Sequence, residues 1–84
     1  MNESTVCEAI AGELSTRGYQ LDPEEYRTDL ISAGVNSVNL VRVLTALEEL
    51  FDIEFEAAGF FAEPVTVERL AAEIIEHAAR NVTR

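Results

Sequence analysis

Residues 32–51 read SAGVNSVNLVRVLTALEELF, and the helix they contain decides the class of the fold. From Ser37 onward, Leu40, Leu44, Leu47 and Phe51 recur at intervals of four, three and four, with Val41, Val43 and Leu50 widening the stripe. That spacing is one face of an α-helix turned toward a core, and it predicts a helix over residues 37–51. Asn39, Arg42, Thr45, Glu48 and Glu49 fall on the polar face. Two residues compete to begin the helix. A hydroxyl at Ser37 would satisfy one orphan amide of the first turn, worth about 1 kcal/mol, and Asn36 is as good a cap. If Asn36 caps, Ser37 becomes the first helical residue, its hydroxyl in solvent at the positive end of the helix dipole. A phosphate ester is electrostatically favoured there. Gly34, just upstream, marks a backbone conformation that other residues resist.

On the N-terminal side, residues 18–36 form a long connection. Asp22-Pro23-Glu24-Glu25 has the order of a one-turn helix start: cap, proline at the first position, acids in the first turn. Leu21, Tyr26, Leu30 and Ile31 are the apolar residues that pin this connection to a core. Before it, residues 5–17 place Val6, Ala9, Ile10 and Leu14 at helical spacing. Thr5 and Glu8 are spaced as a capping box, with a start a few residues earlier as the alternative, and Gly18 stands where a helix stops. On the C-terminal side, Ile53 and Phe55 alternate with Asp52 and Glu54. With no second strand to pair with, this reads as an extended segment packing inward. GFFAEP, residues 59–64, allows one helical turn before Pro64. A last helix runs from Thr66, its N-cap, to about Ala79, with Val67, Leu70, Ala71, Ile74 and Ala78 on one face and a frayed tail beyond. The fold class is all-α: a small bundle of three main helices, four with the short one before the last. A long loop joins the first two main helices, and residues 1–84 make one domain.

With 84 residues, the chain is near the size at which one apolar core suffices without staples. One cysteine, Cys7, cannot make an internal disulfide, and no cysteine–histidine cluster exists to hold zinc. No apolar run approaches membrane-spanning length, and the N-terminus lacks the layout of a secretory signal, so a soluble cytoplasmic protein is expected. Sixteen acidic residues against six arginines give a net charge of −10. Such a surface repels phosphate backbones and anionic lipid, which argues against nucleic-acid and membrane partners, and it attracts partners with basic patches. Catalysis by Ser37 would need a base, and the one histidine, His77, lies near the end of the last helix, where it suits the helix dipole. Cys7 on an amphipathic helix reads as a core or boundary residue and not as a nucleophile. The chain is not expected to be an enzyme.

Residues 29–55, DLISAGVNSVNLVRVLTALEELFDIEF, resemble the central motif of acyl and peptidyl carrier proteins. The matching positions are Asp29-Leu30, Gly34, Asn36-Ser37, Val38, Leu47-Glu48, and Phe51 with Ile53 and Phe55. The remaining layout is similar too: a preceding helix with a long loop, a short third helix and a closing helix. The resemblance implies that a phosphopantetheinyl transferase, using coenzyme A and magnesium, attaches 4′-phosphopantetheine to Ser37. It implies a monomeric, free-standing carrier. Its arm holds an acyl, aminoacyl or other biosynthetic intermediate as a thioester and presents it to cargo-loading and cargo-processing enzymes of a fatty-acid, polyketide or nonribosomal-peptide type of pathway. Asn36, Val38, Asn39, Arg42 and Phe60, with Phe61, are the candidates for contact with partners or the arm, and core packing is the alternative for each phenylalanine. Two departures stand out: Asn36 replaces the aspartate usual before the serine, and Asn39 and Arg42 stand where acids are frequent. The competing reading is an unmodified acidic helical domain that binds one protein partner.

Overall fold

The computed structural model describes residues 2–56, 59 and 62–82. Three α-helices lie among them, α1 (Glu3–Thr16), α2 (Ser37–Phe51) and α3 (Val67–Val82), with a 3₁₀ turn at Pro23–Glu25 and no strand. The all-α bundle with a long first connection is therefore the observed architecture. The described α-helices number three and not four. The expected short helix falls on a stretch of which residues 57, 58, 60 and 61 lie outside the described residues.

α1 starts at Glu3, within the few residues upstream of Thr5 that the sequence left open. Asn2 takes the cap, its side-chain oxygen accepting the Thr5 N–H at 2.8 Å, so Thr5 lies inside the helix and does not begin it. The far end closes as the glycine predicts. Gly18 has φ +91, its N–H donates to the Ser15 carbonyl, and the Tyr19 N–H reaches back to the Leu14 carbonyl at 2.9 Å. This pairing turns the chain sharply and sets Tyr19 against the core.

α2 keeps its predicted bounds, Ser37–Phe51. Leu40, Val43, Leu44 and Leu47 are buried, but Val41 and Leu50 are 46% and 59% exposed and do not widen the apolar face. At about 100° per residue the four buried positions share one arc of the helix, and Val41 and Leu50 fall beyond its opposite edges. The helix ends at Asp52, in the left-handed region at φ 54. Glu48 holds the segment that follows: its carbonyl accepts the Ile53 N–H at 3.1 Å and its carboxylate accepts the Phe55 N–H at 2.8 Å. Glu48 is thus a structural clamp, where the sequence suggested only a solvated acidic face.

α3 begins at the predicted cap, with the Thr66 hydroxyl accepting the Arg69 N–H at 3.0 Å. It continues to Val82, beyond the expected end at Ala79, so the start of the supposed frayed tail is helical. Its Val67, Leu70, Ala71 and Ile74 are buried against Val6, Cys7, Ile10 and Leu14 of α1 and the buried face of α2. α1 packs on both other helices and most extensively on α3.

The long connection is anchored, as its apolar residues suggested, but by a different set. Leu30 is fully buried, Leu21 and Tyr26 are half-buried against the core, and Ile31 is 47% exposed. Ile31 follows Leu30 directly, and in the tight turn closed by Gly34 N–H to the Ile31 carbonyl only one of the two neighbours faces inward. Backbone bonds complete the anchor: Leu30 N–H to the Val65 carbonyl at 2.8 Å, and Glu68 N–H to the Tyr26 carbonyl at 3.0 Å. Arg27 and Glu68 pair on the surface at 2.9 Å, where ion pairs contribute little. Leu30→Ala should therefore cost about 2–5 kcal/mol in urea unfolding, and Arg27→Ala less than about 1 kcal/mol.

Cys7 is a core residue, 6% exposed. Burial pushes its thiol pKa up, and the carboxylates of Glu3 and Glu68 push it further in the same direction. The thiol is neutral in both states at low pH. As pH passes its ordinary pKa, the unfolded chain ionises while the folded thiol resists, so folding stability falls. Stability against urea should decline in alkaline buffer, and Cys7→Ala should show a shallower decline over the same pH range.

Candidate functional site

The site is assembled at the entry to α2. Gly34, at φ +107, reverses the chain after Leu30, a conformation costly for any residue with a side chain. Val35 then turns into the core, 2% exposed, and its N–H closes on the Leu30 carbonyl at 3.0 Å. With Leu30 and Val35 both buried, the next residue has little freedom. Asn36 adopts extended backbone, and its side-chain oxygen accepts the Asn39 N–H at 2.8 Å. The carbonyl of Asn36 accepts the first intrahelical bond, from the Leu40 N–H at 3.0 Å.

Asn36 is therefore the cap, and Ser37 is the first residue of α2. Its side chain is exposed, and its hydroxyl makes no hydrogen bond to the described residues. Val38 is 62% exposed and Arg42 is exposed one turn further on. Asn39 is only half-exposed, and its side-chain amide donates to the Tyr19 hydroxyl at 2.8 Å. This bond ties the start of the long connection, just past α1, to the first turn of α2, so Asn39 braces the site as well as bordering it. Asp29 braces the preceding turn: its carboxylate accepts the Ile31 N–H at 3.3 Å and the Ser32 hydroxyl at 3.1 Å.

Of the residues singled out from sequence, Asn36, Ser37, Val38, Asn39 and Arg42 share the first two turns of α2 and its cap. Phe60 and Phe61 lie outside the described residues. Tyr19 and Val35 contribute to the site and were not anticipated. For Tyr19 a signal existed, because a residue directly after a helix-ending glycine commonly packs back on the last turn. For Val35 the only signal was its apolar character inside a polar stretch.

Chemically the arrangement offers an accessible hydroxyl with no base hydrogen-bonded to it among the described residues. His77, on α3, lies 3.6 Å from the Glu73 carboxylate, with its ring edge-on to Phe55 at 6.5 Å. Such a hydroxyl is a passive acceptor for a group delivered by another catalyst. The cap governs how it is presented: Asn36→Ala should destabilise the fold by about 1 kcal/mol in urea. Asn36→Asp should be neutral to stabilising by about 0.3–1 kcal/mol, since the added charge sits at the positive end of α2.

Residues 4–74 match the family model described as phosphopantetheine attachment site. No curated protein and no solved structure matches the chain.

Proposed function

We propose that Ser37 is where the prosthetic arm is attached, starting from the premise that the chain belongs to the phosphopantetheine attachment site family. Its members hold 4′-phosphopantetheine covalently and act as carriers that catalyse nothing themselves, and this chain is a phosphopantetheine-bearing carrier. The observation that carries the assignment to Ser37 is the division of labour at the head of α2. Asn36 satisfies the first-turn amide, which leaves an exposed and unbonded hydroxyl on the next residue. The surroundings also fit the group. A phosphodiester anion at a helix N-terminus is favoured by about 0.3–1 kcal/mol, and the first two turns of α2 hold no carboxylate to oppose it.

The bound arm would supply a thiol that carries acyl or aminoacyl cargo as a thioester. In attachment, the Ser37 oxygen forms a bond to the pantetheine-side phosphorus of coenzyme A. The pyrophosphate linkage breaks, adenosine 3′,5′-bisphosphate leaves, and the hydroxyl proton passes to the transferase. A polyketide or nonribosomal-peptide type of pathway fits the sequence better than general fatty-acid synthesis, because Asn36 and Arg42 depart from the acidic pattern at this end of the helix. The partners are the phosphopantetheinyl transferase and the enzymes that load and process the cargo. A net charge of −10 speeds encounter with partners that carry basic patches, and it disfavours self-association. No helix of the described residues is long and apolar enough to cross a membrane.

Coexpression with a broad-specificity transferase, followed by intact-mass measurement, tests the assignment. The expected result is one phosphopantetheine-sized mass increase that disappears in Ser37→Ala. Absence of the increase with every transferase tried would sink it and leave the unmodified interaction domain as the better reading.

A further inference from the structure

The acidity of the chain is interrupted around Ser37. No Asp or Glu occurs between Asp29 and Glu48, a span that includes the cap and the first turns of α2. Glu48 itself is engaged, its carboxylate on the Phe55 N–H. Opposite the buried Leu40, Val43, Leu44 and Leu47, helical geometry places Val38, Val41, Arg42 and Thr45 on one outward face. Val38 and Val41 are 62% and 46% exposed. Val41 lies one turn from Ser37, and Arg42 one turn from Val38, so the four residues are surface neighbours. Arg42 makes no ion pair among the described residues, whereas Arg17 pairs with Glu13 and Arg27 with Glu68.

We infer that the transferase acting at Ser37 seats on an apolar and cationic island, with an apolar rim against Val38 and Val41 and a carboxylate facing Arg42. The inference rests on the assignment of Ser37 as the modified residue. Any active site that closes on the Ser37 hydroxyl must also cover its neighbours on the helix surface. A basic rim would meet there no acid from residues 30–47 and one arginine without an ion pair among the described residues, and like charges brought together at an interface oppose binding. A second copy of this chain is not the occupant, because two chains of net charge −10 repel. The acidic remainder of the surface acts at longer range, on encounter rate, and the island acts on fit.

The sign of one substitution separates this arrangement from docking on a basic rim. The measurement is kcat/KM for phosphopantetheine transfer to the purified chain by a broad-specificity transferase, with circular dichroism to confirm that each variant is folded. Arg42→Glu should lower kcat/KM by about tenfold, Val41→Asp by a similar factor, and Arg42→Gln by less. Glu8→Arg, an equal and opposite change of net charge on exposed α1, should leave the rate within about twofold, since separated surface charges are screened by salt. An unchanged or faster Arg42→Glu overturns the inference while Ser37 stays modified. So does a Glu8→Arg effect as large as that of Arg42→Glu, because net charge would then govern. If the wild-type chain takes up no group, the Ser37 assignment fails and the island falls with it.

Discussion

The burial of Leu30, with its N–H on the Val65 carbonyl, is the constraint on which the rest of the structure depends. A connection as long as residues 18–36 loses much conformational entropy when ordered, and one fully buried leucine contributes about 1.5–3 kcal/mol against that loss. The backbone bond then fixes the approach of this connection to the start of α3. From that anchor the chain has five residues, Ile31 to Val35, in which to turn at Gly34 and bury Val35 before Asn36 takes up its capping geometry. The position of Ser37 is thus set from the core outward, through the buried Leu30 and Val35.

At the head of α2, two roles that one residue could have filled are separated. A serine that capped its own helix would have its oxygen committed to an amide. Asn36 accepts that amide, and the hydroxyl beside it stays available. The same separation governs charge. Carboxylates crowd the 3₁₀ turn and the end of α2, and the turns next to Ser37 carry apolar and cationic side chains. A carrier must attract many enzymes and release each of them. In the proposed arrangement, long-range acidity would serve the first need and the small contact surface around Ser37 the second.

Much of this was legible in the order of residues. The bounds of α2, the cap at Thr66, the stop at Gly18 and the special backbone of Gly34 follow from periodicity and from residues with few conformational options. Less legible were features that depend on what lies on the far side of a side chain. Val41 and Leu50 are as apolar as Val43, and only the placement of the other helices leaves them exposed. Glu48 is indistinguishable in sequence from Glu49, yet its carboxylate holds the Phe55 amide. α1 starts at Glu3 because Asn2, three residues before Thr5, takes the cap, a position where asparagine ranks above threonine.

The sequence by itself determined the helical class, the residues that share the head of α2 and the family to which they belong. These are properties of spacing, and a helix's 3.6-residue period is the same in any surroundings. Only the tertiary structure decided that Asn36 caps while Ser37 stays free, that Asn39 is tied to Tyr19, and that Val38, Val41 and Arg42 form an outward face free of acids. Bracing and exposure depend on which atoms distant parts of the chain bring near. The choice between Asn36 and Ser37, though the capping bond itself is local, follows the backbone path set by the buried Leu30 and Val35.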